Sequence, residues 1–207
     1  MVSKRRLERR LADLEGYRKP QVAFEQYVTP PDLAANVVNR AALEDDLRGT
    51  VVDLGSGTGL LTIAAAFEAP ERVIGLEIDA DAIRIARGNE TACELPTRID
   101  WIRGDSIDAP LCPSTPVTVV MNPPFGAQDA SRGDRGFLET ASRIAAVSYS
   151  IHNAGSRDFV EAFSSDHGGV VTHAFAAEID LDRQFRFHTA DVRPIDVEVY
   201  RIVWNQR

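Results

Sequence analysis

Residues 50–66, TVVDLGSGTGLLTIAAA, constrain the fold of this chain more than any other stretch. An apolar run reaches Asp53, a glycine-rich turn follows, and a helix-compatible apolar segment comes directly after. Gly55, Gly57 and Gly59 permit backbone geometries and a close ligand approach that side chains would block. A strand that enters a helix through such a turn belongs to an α/β sheet, and these sheets bind ligands at the carboxyl ends of their strands. The spacing is D-x-G-x-G-x-G. It differs from the dinucleotide pattern G-x-G-x-x-G, because Leu60 stands three residues after Gly57. The loop therefore suits a small nucleoside better than a pyrophosphate.

The pattern continues on both sides. We place strands near 50–54, 72–77, 99–103 and 117–121, with helices near 59–68 and 80–90. This alternation implies a parallel sheet with crossover helices. Two later segments, GGVVTHAFAAEIDL and PIDVEVYRIVWN, read as strands that add antiparallel pairing at one edge. Upstream, Leu7, Leu11 and Leu14 recur at helical spacing, with Arg5, Arg6, Arg9 and Arg10 on the other side. That basic side is either a solvated face or a contact to RNA phosphates. A second helix is expected from Asp32 as N-cap to about Leu43.

Composition narrows the setting. The apolar runs are short and broken by charge, so no membrane span is expected. The opening MVSKRRLERR is too polar for a secretory signal, which makes the cytoplasm the expected location. Cys93 and Cys112 have no metal-ligand spacing with the four histidines, and no metal site is expected. A net charge of −8 argues against a nucleic-acid partner, but five basic residues against Glu8 alone crowd into residues 1–10. Only Lys4 and Lys19 are lysines, and the 31 acids lean toward aspartate, a composition that suits concentrated salt.

Acids stand at the ends of two further strands. RVIGLEID carries Glu77, placed to accept both hydrogens of a ribose diol. IDWIRGDSI carries Asp105, where a carboxylate can take an adenine amino hydrogen. In this order on successive strands, the glycine loop and the acids resemble the class I S-adenosylmethionine-dependent methyltransferases. The resemblance implies a Rossmann-like, mostly parallel seven-stranded sheet with antiparallel C-terminal edge pairing. It also implies S-adenosyl-L-methionine as cofactor, held by Asp53, Gly55, Thr58, Leu60, Glu77, Asp105, Ser106 and Ile107.

The fourth strand, PVTVVM, runs into Asn122-Pro123-Pro124-Phe125. An aromatic amine is a poor nucleophile because its lone pair is delocalised into the ring. A useful site accepts hydrogen bonds from both amino hydrogens and so stabilises the charge that develops on nitrogen. The Asn122 side-chain oxygen and the Pro123 carbonyl can do this, prolines hold both in place, and Phe125 offers a stacking face. The segment resembles the D/N-P-P-Y/F signature of amino methyltransferases, which serves adenine, guanine and glutamine amide nitrogens alike.

Beyond these motifs, FEQYVTPPDLAANVV, VSYSIHNAGSRDFV, FRFH and DVEVYRI are similar to segments of the methyltransferase-like protein 5 family. That resemblance covers nearly the whole chain and implies methylation of N6 of an adenosine in small-subunit (16S) ribosomal RNA. We expect an archaeal member of that family, and the composition suggests one adapted to concentrated salt. The family also implies that Gln26, Tyr27 and Thr29 close over the cofactor and that Asn122 touches it. It implies a heterodimer with a small zinc-binding activator protein, for which the edge strand Ile99–Arg103 is a candidate surface. His152 and His188 lie in matching segments but are left out of the catalytic set. Two departures stand out: Glu77 where relatives use aspartate, and Gln128 and Asp129 in a stretch that is often basic, with Arg132 and Arg135 as compensation. We expect one domain over residues 1–207, with 1–45 as a helical extension and lid and 46–207 as the catalytic core. The alternatives are a methyltransferase acting on DNA adenine, guanine N2 or protein glutamine, and a catalytically silent RNA-binding scaffold.

Overall fold

The computed structural model describes residues 2–21, 25–115, 117–124, 133–179 and 195–205. Phe125, Gln128, Asp129, Arg132 and His188 lie outside the described residues. The elements run α1 (Lys4–Leu11), α2 (Pro31–Leu43), β1 (Thr50–Leu54), α3 (Leu60–Ala66), β2 (Arg72–Glu77), α4 (Ala80–Thr91), β3 (Ile99–Arg103) and β4 (Val117–Met121). They continue with α5 (Gly133–Ile144), β5 (Ala145–Asn153), α6 (Arg157–Asp166), β6 (Gly169–Ile179) and β7 (Ile195–Trp204).

The seven strands form one sheet in the order β3-β2-β1-β4-β5-β7-β6. The first five pair in parallel, and β7 pairs antiparallel with both β5 and β6. The four strands expected in the first half occupy residues 50–54, 72–77, 99–103 and 117–121, as their patterns indicate. Side chains alternate across them, so two layers of helix cover the sheet. Val51, Val73 and Val120 meet α1, α2 and α3 on one face, while Val52, Ile74 and Val119 meet α5 and α6 on the other. Leu7 and Leu11 of α1 are completely buried there, and burying each contributes roughly 2 kcal/mol.

The second helix starts two residues before the expected place. Pro31 occupies its first turn with Pro30 as N-cap, and Asp32 makes no capping bond. A proline at this position loses nothing by lacking an N–H, and its fixed φ already suits the helix. Asp32 instead places a negative charge in the first turn, at the positive end of the helix dipole. Among the described residues no helix is long and apolar enough to cross a membrane.

The strand order decides where a ligand can sit. The chain moves outward from β1 through β2 to β3, then returns to the other side of β1 at β4. That reversal opens a crevice at the carboxyl ends of β1 and β4. Leu54 is in register with both Leu76 and Met121, so the next residue on each strand, Gly55, Glu77 and Asn122, arrives at the same edge.

Candidate active site

A cleft of about 350 Å³ lies at this edge. It is lined by Gln26, Tyr27, Thr29, Asp53, Gly55, Thr58, Leu60, Glu77, Asp105, Ser106, Ile107, Asn122 and Pro124, so twelve cofactor positions expected from sequence converge on one space. Pro123 is buried beside them.

The floor is the loop after β1. Gly55 N–H and Ser56 N–H both donate to the Leu76 carbonyl at 2.9 Å, which pins the loop to β2. Gly55 and Gly57 have φ of +72° and +53°, the left-handed region that favours glycine. Space demands glycine as well. A Cβ on Gly55 would lie 2.9 Å from Phe137, and one on Gly57 would collide with the Tyr17 hydroxyl.

Acids surround the floor. Asp53 is buried; its Oδ2 accepts a 2.6 Å bond from the Thr62 hydroxyl, while its Oδ1 is buried without a partner. Burial pushes its carboxyl up to about 7; the Thr62 bond opposes this, and the nearby Glu77 charge adds to it. Glu77 accepts from Gly57 N–H at 2.7 Å and from Asp79 N–H at 2.9 Å. Burial raises its carboxyl despite these bonds. A carboxylate has about four acceptor sites, so these bonds leave capacity for a ligand hydroxyl. Asp105 is exposed at the rim, bonded to Ile107 N–H at 2.9 Å. Ile78 and Ile107, 43% and 40% exposed, supply apolar surface at the same end of the cleft, as a planar base requires.

The wall comes from residues preceding α2. Gln26 Nε2 donates to Asp79 Oδ2 at 2.7 Å, and Gln21 Nε2 reaches the same oxygen at 3.1 Å. Burial would raise Asp79, but these bonds and the Asp81 N–H outweigh it and hold its carboxyl below the ordinary value. Tyr17 lies over Gly57. Asn89, on α4, fastens this segment to the floor: its Oδ1 accepts from Glu15 N–H at 2.8 Å, and its Nδ2 donates to the Glu15 and Thr58 carbonyls at 2.9 Å. Burial and the charges of Glu77, Asp79 and Asp53 raise the Tyr17 hydroxyl far above its ordinary value, so it stays neutral.

On the side of β4, Asn122 Nδ2 donates to Thr29 Oγ1 at 3.0 Å, and Asn122 Oδ1 is buried with no partner. An acceptor that is buried, unpaired and set on a cleft is costly unless a donor arrives. A deep cleft rich in carboxylates, with orphan acceptors at Asp53 and Asn122, suits a cationic ligand at the first and an amine at the second.

Residues 31–146 match the methyltransferase small domain family. The chain is 32% identical to the rRNA N(6)-adenosine-methyltransferase Mettl5 of Drosophila melanogaster, over 95% of this chain and 94% of the relative. It is 33% identical to the rRNA N(6)-adenosine-methyltransferase METTL5 of Danio rerio, over 93% and 94%. The chain belongs to the methyltransferase-like protein 5 family. A crystal structure of PH1948 from Pyrococcus horikoshii, a candidate RNA methyltransferase, superimposes with a TM-score of 0.86 at 35% identity, covering 99% of each chain. Like its family, the chain is an S-adenosylmethionine-dependent methyltransferase of the class I fold.

Tyr17, Ile78, Asn89 and Phe137 were not legible as site residues. Tyr17, Ile78 and Phe137 line the cleft, and Asn89 holds the segment that carries Tyr17; Ile78 directly follows Glu77, whereas the other three carry no local motif. Other residues take structural positions. His152 is buried between Asp134 and Ser150, at 3.3 and 2.9 Å. Trp101 covers Gly75 from β3 and donates to Glu90 at 2.7 Å, which satisfies it within the chain. Arg135, expected to offset the acidic loop, is engaged by Glu139 at 3.2 Å and lies over the Phe163 ring. In α1, Arg10 stacks on Phe67 and Val2 N–H bonds Glu68, both at the end of α3 remote from the cleft. Of the basic residues of α1, Arg10 is thus placed at the end of α3 away from the glycine loop.

Proposed function

We propose that this protein methylates N6 of an adenosine in small-subunit ribosomal RNA. The observation that carries the reading is the Asn122 amide: its oxygen is a buried, unpaired acceptor beside the cleft, at the end of β4. Two relatives matched over nearly the whole chain, from Drosophila melanogaster and Danio rerio, are named for ribosomal RNA adenosine, which supports the same choice.

The residues present fit the cofactor. Asp53 Oδ1 would take the methionine ammonium, Glu77 the ribose diol, and Asp105 with Ser106, Ile78 and Ile107 the adenine. Thr58, Leu60, Gln26 and Tyr27 would complete the enclosure. When bound, S-adenosylmethionine supplies an electrophilic methyl group on a sulfonium sulfur. Asn122 Oδ1 and the Pro123 carbonyl would each accept one hydrogen of the target amine. Those bonds would draw the nitrogen lone pair out of conjugation and stabilise the positive charge that develops as the N–C bond forms and the methyl–sulfur bond breaks, leaving S-adenosylhomocysteine. One proton then leaves the nitrogen to solvent, so no covalent intermediate on the protein is needed. Pro123 and Pro124 keep the two acceptors rigid, and Phe125 is assigned the stacking face for the extruded base.

The partner belongs to the same proposal. β3 is an edge strand of the sheet, and a small zinc-binding activator would add a strand along Ile99–Arg103. The test is ribosomal RNA from a strain lacking the protein, incubated with the purified protein and labelled S-adenosylmethionine, with and without a candidate activator. Nucleoside mass spectrometry should show N6-methyladenosine at one small-subunit position. Methylguanosine, or label on protein alone, would overturn the substrate while keeping the chemistry. No label anywhere would favour a silent RNA-binding subunit.

A further inference from the structure

The hydrogen bond from Asn122 to Thr29 joins residues 93 positions apart, and the two have the same local construction. Thr29 precedes Pro30 and Pro31, and Asn122 precedes Pro123 and Pro124. A residue before proline is restricted to extended backbone, and each proline fixes its own φ. Both ends of the bond are therefore mounted on stiff backbone. Thr29 is 8% exposed, so water competes little for the bond. On its C-terminal side Thr29 leads directly into α2, whose Leu33, Ala34 and Val37 are buried in the core. Gln26, three residues before it, is tied to Asp79.

A hydroxyl can accept from an amide N–H or donate to an amide oxygen, and here Thr29 accepts from Nδ2, which leaves the carboxamide oxygen at the cleft. Rotation about the last side-chain torsion of asparagine is broad and two-fold, so the backbone does not distinguish oxygen from nitrogen there. With Nδ2 engaged by Thr29 Oγ1, the oxygen is left over and is the atom found unpaired. Turned by half a rotation, the amide would present N–H donors to an amine that also donates.

We propose that Thr29 is a positioning residue for methyl transfer: its hydroxyl holds the Asn122 carboxamide with the oxygen toward the amine to be methylated. This rests on the amine-methylating reading of the site. Thr29 thus has a role separable from enclosing the cofactor, because its partner is the carboxamide whose oxygen faces the other substrate.

The test compares Thr29→Val with Thr29→Ser. Valine keeps the branched shape and the extended backbone but removes the hydroxyl, and serine restores it. For Thr29→Val, kcat should fall by about 10- to 100-fold, as expected when a reacting group is misplaced. The Kd for S-adenosylmethionine, measured by calorimetry, should stay within about 2-fold, since that ligand keeps its other contacts. Thr29→Ser should recover most of kcat. The side-chain amide resonances of Asn122 in ¹⁵N-labelled protein, assigned by their loss in Asn122→Asp, should shift in Thr29→Val and return in Thr29→Ser. Unchanged resonances would overturn the proposal whatever the substrate, since that readout needs none. An unchanged kcat with a weakened Kd would also overturn it and return Thr29 to the cofactor enclosure. If wild-type protein methylates a different amine, the adenosine assignment fails, and the same pair of variants tests Thr29 on that amine.

Discussion

Cofactor affinity should rise with pH, and Asp53 should be the cause. Burial holds this carboxyl at about 7, and its Oδ1 has no partner in the protein. Below that value the ligand-free protein carries a proton there, and pairing with the methionine ammonium requires the proton to leave. The cofactor's amino group titrates near 8, so it remains charged throughout the relevant range. With a carboxyl at about 7, roughly 3% is ionised at about pH 5.5 and about half at pH 7. If only the ionised form binds tightly, affinity should increase by about 16-fold between those two values. The direction follows from the sign of the shift: the raised carboxyl binds a proton in the free state that the complex does not, so raising the pH favours the complex. Titration calorimetry in buffers of different ionisation heat should record release of roughly 0.8 proton at about pH 6.5. Burial also raises the Glu77 carboxyl, so the decisive comparison is Asp53→Asn, which should bind more weakly at pH 7 and lose most of the slope. A pH-independent affinity in the wild type, or an undiminished slope in Asp53→Asn, would refute the reasoning.

Asn122→Ala should reduce transfer by about 10²-fold or more while leaving the Kd for S-adenosylmethionine nearly unchanged, as single-turnover assays and calorimetry can separate. Asn89→Ala removes three hydrogen bonds that fasten Glu15 to the Thr58 loop. It should lower stability by about 2–3 kcal/mol in denaturant titration and weaken cofactor binding with little effect on kcat at saturation. Gly57→Ala places a Cβ against the Tyr17 hydroxyl at a φ of +53° and should largely abolish cofactor binding; Tyr17→Ala in the same chain should relieve the clash but not the backbone strain, giving partial recovery.

The glycine loop and the acidic strand ends were readable because their chemistry is local. Glycines at positive φ, a carboxylate after an apolar strand and an asparagine before two prolines each declare themselves within a few residues. The first four strands were readable because parallel strands leave short apolar runs between breakers. The junction of α5 and β5 was not: Ile144 ends one and Ala145 begins the other, with no glycine, proline or polar cluster to mark the change. The N-cap of α2 was misplaced by two residues because Pro30 and Pro31 hid the start behind a break signal. Arg135 was assigned by charge alone, and the Phe163 ring it rests on comes from another helix.

By itself the sequence determined the fold class and the cofactor loop. These depend on backbone permissions and side-chain chemistry that do not change when the chain folds. Only the tertiary structure decided which distant groups complete the site. Tyr17 over Gly57, Asn89 between Glu15 and Thr58, and Thr29 beside Asn122 are pairings between segments brought together by the strand order. Such contacts form at hydrogen-bond range, and only after the sheet has placed β1 between β2 and β4. The elevated Asp53 carboxyl has the same origin, since burial arises from everything packed around a residue and from nothing in its immediate neighbours along the chain.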